Sequence, residues 1–185
     1  MNVQGQRTRG TGHGGELIVD TESPEATMAL GTELGKLLAA GDVVTLTGEL
    51  GGGKTCFVRG IVAGAAPQYL DLVASPTFAI LNEYPAVPPI HHYDCYRLRG
   101  CDDAVELGLE EHLHGNGICL IEWPDRILAL LPPTRLELGF SYVDATIRRI
   151  SLFAHGTRMQ LLLAQLATHC DTSKKPLSPL LCSAK

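Results

Sequence analysis

Eight consecutive residues, Gly48-Glu49-Leu50-Gly51-Gly52-Gly53-Lys54-Thr55, have types and spacing that could do chemistry, because they satisfy the pattern G-x-x-x-x-G-K-[ST]. Glycines let backbone N–H groups curl around phosphate oxygens with no Cβ in the way, and a helix that starts after the loop aims its positive end at the same oxygens. At this spacing Lys54 reaches the β and γ phosphates of a nucleotide, and the Thr55 hydroxyl is offered to Mg²⁺. Glu49, Leu50 and Gly51 to Gly53 supply the wrapping backbone, and Cys56 follows in the first helical turn. A glycine-rich turn ending by chance in Lys-Thr is the competing reading. The buried strand before the loop and the amphipathic helix after it decide against that reading.

Such a loop needs an acid that holds Mg²⁺ or its waters, best placed at the end of a neighbouring strand. Two carboxylates qualify: Glu122 ends the run Ile118-Cys119-Leu120-Ile121, and Asp94 ends Ile90-His91-His92-Tyr93. As bare patterns both are equally readable as surface charges or salt-bridge partners. Ser75-Pro76-Thr77 precedes another strand, where a hydroxyl could sense the γ phosphate; taken locally it is also an ordinary Ser-Pro turn. His91 and His92 beside Asp94, and His112 with His114, lack the spacing and third ligand of a transition-metal site. Trp123 is the only tryptophan, and composition alone assigns it to packing.

The elements that must position these residues can be read in order. Ser23-Pro24-Glu25 opens a helix, with Ser23 as cap, Pro24 at its first position and Glu25 at its positive end. Leu30, Leu34, Leu37 and Leu38 share one helical face, and Gly41 is the expected stop. The run 43–47 is apolar and β-branched almost throughout, as a central strand covered on both faces must be. After the loop, Cys56, Phe57, Ile61 and Val62 give a helix its buried face, and Pro67 breaks it. Strands are expected at 17–19, 78–84, 90–94 and 118–123, a helix at 102–113, and a terminal strand pair at 135–143 and 148–154 joined by a polar turn. A last helix starts at Thr157, read as a cap with Gln160 completing a capping box. The alternation argues for an α/β sheet, mixed and with an antiparallel edge.

At 185 residues and 45% apolar content the chain fits one domain with a substantial core. Residues 1–15 are Gly-rich, free of acids, and have neither an apolar segment nor an amphipathic face. They read as a disordered tail, with a transit peptide as the alternative. Residues 16–170 form the domain, and 171–185 read as a loose Ser, Lys and Pro-rich tail. The formal charge of −5 offers no basic stripe for RNA, so an RNA link would run through partners. Six cysteines without a C-x-x-C pair suit reduced thiols and a cytoplasmic location, and no apolar run approaches the length of a membrane helix.

Taken together, the loop, Ser75-Pro76-Thr77-Phe78, Asn82-Glu83-Tyr84, His92-Tyr93-Asp94-Cys95-Tyr96-Arg97, Glu106-Leu107-Gly108 and Ile121-Glu122-Trp123-Pro124 resemble the TsaE (YjeE) family of threonylcarbamoyladenosine pathway ATPases in order and spacing across residues 23–154. The resemblance implies a three-layer P-loop NTPase fold with a mixed, mostly parallel sheet. It implies that Thr55 and Glu122 contact Mg²⁺, that Asp94 serves the metal or the attacking water, and that Trp123 helps organise the ATP pocket. It also makes 75–77 a switch-like loop in which Thr77 is the leading hydroxyl. As partners it implies the TsaD and TsaB proteins of the tRNA-modifying complex. Gly52 and Cys56 depart from the family, which usually has an alanine and a second threonine there, and Cys56 puts that threonine's phosphate hydrogen bond in doubt. Two rivals use the same loop: a small-molecule kinase, and a nucleotide-gated adaptor without productive turnover.

Overall fold

The computed structural model describes residues 6–9 and 15–172. Among these, eight strands form one sheet: β1 (Gln6–Arg9), β2 (Glu16–Thr21), β3 (Val43–Gly48), β4 (Leu81–Tyr84), β5 (Ile90–Asp94), β6 (Ile118–Glu122), β7 (Arg135–Tyr142) and β8 (Arg148–His155), in the order β1-β2-β8-β7-β3-β6-β5-β4. The pairs β7–β3, β3–β6 and β6–β5 are parallel and the remaining pairs antiparallel. Strands β2, β7, β3, β6 and β5 therefore run one way, and β1, β8 and β4 the other. The antiparallel β7–β8 edge stands where the sequence puts it, and it is extended outward by β2 and β1.

Helices cover both faces, as the unbroken burial of the central strands β3, β5 and β6 requires. Val44 and Leu46 of β3, with Ile118 and Leu120 of β6, face a large cluster built from α1 (Pro24–Gly35), α2 (Lys54–Ala65) and α5 (Thr157–Thr172). The alternate residues Val43, Cys119, Ile121 and Tyr93 face a smaller cluster under α3 (Cys101–Glu106) and α4 (Leu109–Leu113). Central strands buried on both sides read as continuous apolar runs, which is why 43–47 and 118–121 were legible.

Helix α1 begins as its sequence demands: the Ser23 hydroxyl accepts the Ala26 N–H at 3.1 Å, with Pro24 at the first position. It stops at Gly35 rather than near Gly41. The Ala39 N–H is captured by the Asp42 carboxylate at 2.9 Å, and Arg158 of α5 holds that carboxylate at 2.7 Å, so a distant partner fixes the turn between α1 and β3. The helix expected over 102–113 is two short ones, because Gly108 adopts φ +75 between them. The strand expected from residue 78 starts only at Leu81, after a turn in which Ile80 takes φ +67. Gly156 takes the capping position of α5, its carbonyl accepting the Gln160 N–H, and Thr157 is already helical. Residues 6–9, placed in a tail by composition, pair with β2 as a strand, so backbone pairing overrides their polar makeup. Helix α5 continues to Thr172, and residues 173–185 of the expected C-terminal tail lie outside the described residues.

Helices α1 and α2 approach each other along a seam of glycines, Gly31 and Gly35 on one and Gly60 and Gly64 on the other. A methyl group on Gly60 would lie 2.9 Å from the Gly31 Cα and closer still to the Met28 carbonyl oxygen. This seam fixes where α2, and with it the loop at its N-terminus, sits against the sheet. Gly60→Ala is expected to cost about 1–3 kcal/mol through overpacking, measured as a lower urea midpoint at unchanged slope; an unchanged midpoint would mean that the helices separate freely.

Candidate functional site

The loop 48–53 leaves the C-terminal end of β3 and enters α2 through Gly53, whose φ of +103 is a conformation that side chains disfavour. Gly52 N–H bonds to the Glu49 carbonyl at 3.1 Å, and the Tyr142 hydroxyl donates to the Leu50 carbonyl, so the loop is tied both to itself and to β7. The first N–H groups of α2 have no partner within the helix and open onto a cavity of about 500 Å³. Gly51 to Gly53, Leu50, Lys54, Thr55 and Cys56 line one side of it; Ser75, Thr77, Asp94, Tyr96, Glu122 and Trp123 line the other. Gly48 and Glu49 take part through their carbonyls.

Lys54 is buried, and its Nζ donates to the Gly48 and Glu49 carbonyls at 2.8 and 3.0 Å while standing 4.1 Å from the centre of the Trp123 ring. Burial pushes this amine below the ordinary lysine range, and the negative charges of Glu122 and Asp94 oppose that shift. The two carboxylates are themselves almost wholly buried. Glu122 Oε1 accepts the Thr55 hydroxyl at 2.8 Å and the His92 Nε2–H at 3.0 Å. Asp94 Oδ2 accepts the hydroxyls of Thr77 at 2.7 Å and Ser75 at 3.1 Å, and its Oδ1 accepts the Tyr96 N–H. Buried charge is tolerated here because hydrogen bonds and a nearby ammonium surround it.

The structure thus brings together the loop, Thr55, Thr77, Asp94, Glu122 and Trp123. Cys56 lies at the same opening, but its thiol points to the Pro24 carbonyl at 3.3 Å, and burial with the nearby Glu25 charge raises its pKa. In the sequence His92 was set aside as a metal ligand and otherwise named only within the run 92–97, whereas it is the partner that holds Glu122. Alternation was the available signal, since His92 and Asp94 two residues apart must share a face. Tyr96, whose ring packs 5.0 Å from that of Trp123, entered the sequence reading only as part of the run 92–97, with no role given to it. The oxygen-only donor set of Thr55, Glu122, Asp94 and the loop hydroxyls suits a hard ion such as Mg²⁺, because the neighbouring His92 nitrogen is spent on Glu122.

Comparison with known proteins shows what the chain is similar to. Residues 21–150 match the family model described as "Threonylcarbamoyl adenosine biosynthesis protein TsaE". The tRNA threonylcarbamoyladenosine biosynthesis protein TsaE of Bacillus subtilis is 38% identical over 154 residues, covering 83% of this chain and 95% of that protein. Its counterpart in Treponema pallidum is 40% identical over 132 residues, covering 71% and 96%. The crystal structure of Bacillus subtilis YdiB superposes with a TM-score of 0.70 at 33% identity, covering 89% of this chain and 98% of that one.

His92→Leu removes a donor to a buried carboxylate while keeping most of the volume. It is expected to lower stability by about 1–3 kcal/mol, read from denaturant unfolding; wild-type stability would mean that Glu122 does not depend on this bond.

Proposed function

The chain belongs to the TsaE family, and on that premise we propose that it binds and hydrolyses ATP with Mg²⁺ to support threonylcarbamoyladenosine modification of tRNA, acting in the cytoplasm on the TsaD and TsaB transferase proteins and reaching tRNA through them. The observation that carries this reading is the convergence of the Thr55 hydroxyl, the Glu122 and Asp94 carboxylates and the buried Lys54 ammonium on one glycine-wrapped cavity.

In this reading the N–H groups of the loop and of the first turn of α2 hold the phosphate oxygens. Lys54 exchanges its contacts with the Gly48 and Glu49 carbonyls for the β and γ phosphates. Thr55 and Glu122 are the residues that would hold Mg²⁺, with Asp94 beside them; when bound, the ion neutralises charge on the transferring group. Asp94 orients the attacking water and takes its proton at a carboxylate oxygen. Ser75 and Thr77, both bonded to Asp94, transmit the state of the site to the loop that carries them. Among the residues lining the cavity Lys54 is the sole cation, which supports slow turnover by the isolated chain and acceleration by an arginine from a partner. The same Asp94 bonds to Ser75 and Thr77 favour, as a second reading, an adaptor that orders 75–77 without productive hydrolysis.

Trp123 lies against Lys54, so its emission is expected to change on titration with ATP or ADP. Lys54→Ala should require about 10- to 100-fold more nucleotide, the worth of a charged hydrogen bond; wild-type affinity in this variant would defeat the loop assignment. Phosphate release by the purified chain should be slow and should rise steeply on adding the transferase proteins. A rate unchanged by them would contradict the partner reading, and modification without stoichiometric phosphate release would favour the adaptor.

A further inference from the structure

On the opposite face of the sheet from the nucleotide cavity, three side chains from three elements converge: Glu83 of β4, His91 of β5 and His112 of α4. Glu83 and His91 are cross-strand partners in the antiparallel β4–β5 register, so their side chains share a face. One ligand atom from each residue lies within 4.8 Å of the others. We propose that these three residues form a binding site for a divalent ion of the zinc class, which fastens the edge strand β4 and helix α4 to β5.

His91 makes the strongest demand for such an occupant. It is only 8% exposed, and its buried Nδ1 makes no hydrogen bond, although it points at Glu83 Oε1 from 3.3 Å. That approach lacks hydrogen-bond geometry, so the buried nitrogen is left poorly satisfied at a cost to the fold, and a metal ion between it and Glu83 would satisfy it. The nitrogen His112 Nε2 stands 3.9 Å from the same carboxylate oxygen. Tetrahedral bonds of the usual zinc length set neighbouring ligand atoms about 3.3 Å apart, so one pair already has that separation and another lies slightly wide.

The remaining features are those of a supported site. His112 Nδ1 lies 2.6 Å from the hydroxyl of Tyr93; in the tautomer whose Nδ1–H is donated to the phenol oxygen, the Nε2 lone pair is left facing Glu83. Metal-bound histidines are commonly oriented by such an outer partner. Two nitrogens and one carboxylate oxygen suit zinc-class ions better than Mg²⁺ or Ca²⁺. Glu83 is more than half exposed, which leaves its side chain free to close on an ion and the fourth position open to water. The two imidazole rings now stack, 3.7 Å between centres and 11° from parallel. Both lone pairs meet one ion only if the His112 ring rotates out of that stack, which ion binding must drive.

The full chain, stripped with a chelator and kept free of Mg²⁺ and nucleotide, is titrated with Zn²⁺ by calorimetry and with Co²⁺ by visible absorption. One equivalent is expected, with a Co²⁺ spectrum of nitrogen and oxygen ligation. Glu83→Gln, at an exposed position, should weaken Zn²⁺ binding at least about 10-fold while the metal-free Tm stays at the wild-type value; His112→Asn, at a partly buried position, should weaken it at least as much in a chain whose circular dichroism shows it still folded. Tyr93→Phe should weaken it by about 10- to 100-fold with stoichiometry retained, the usual cost of losing an outer partner. The proposal is overturned if the wild-type chain takes up no Zn²⁺, in which case Glu83 and the histidines form an ion pair only. It is equally overturned if Glu83→Gln and His112→Asn both bind as tightly as wild type, which would place the ion at the Asp94 and Glu122 carboxylates.

Discussion

Parallel pairing of β3, β6 and β5 sets Leu46, Glu122 and Asp94 abreast, and the bonds of Thr55, His92, Ser75 and Thr77 to the two carboxylates depend on that row. The three strands are covered on both faces, so their register is fixed by which residues enter each core, and a slip of one residue would turn both carboxylates to the wrong side. Because the row is at the strand ends, the loop that leaves β3 and the turns that leave β5 and β6 open onto the same space. The glycine seam between α1 and α2 supplies the second coordinate. It places the start of α2 over the carboxylates closely enough for Thr55 to bond Glu122.

The two non-glycine residues with left-handed backbone among the described residues, Ile80 and Trp123, flank this row. For a β-branched residue such as Ile80 the conformation is a genuine outlier, and each such residue costs about 1–3 kcal/mol. Neighbouring structure holds them there: the Ile80 carbonyl accepts the Asp94 N–H and the Trp123 N–H donates to the Leu46 carbonyl. The strained backbone is thus bonded directly to the residues of the row.

The parts of this design that were legible in the sequence are those set by local rules. A continuous apolar run, a glycine loop and a capped amphipathic helix each report their own conformation, and a carboxylate closing an apolar strand reports its own position along it. What stayed hidden depends on residues far apart in the chain. The turn between α1 and β3 is fixed by Arg158 holding Asp42, and the strand at residues 6–9 exists only because β2 offers it an edge. The role of His92 required the β5–β6 register, and Glu83 could not be joined to His91 and His112 until β4 was paired and α4 was folded over the sheet. Gly108 and Ile80 interrupted elements whose apolar periodicity ran on without a break, so periodicity alone overstated their lengths.

The position of Lys54 has a thermodynamic consequence. Its ammonium is already dehydrated and held by two carbonyls of its own loop and the face of an indole. In the proposed function an arriving phosphate displaces these groups, so the loop would act as a receptor carrying its own weak competitor, and its affinity would be the difference between two liganded states of one amine. Such self-ligation keeps the charge aimed and ready at small reorganisation cost, and it also discriminates. A single weakly charged group gains little over the resident carbonyls, whereas a polyphosphate that engages the loop N–H groups at the same time shifts the exchange decisively.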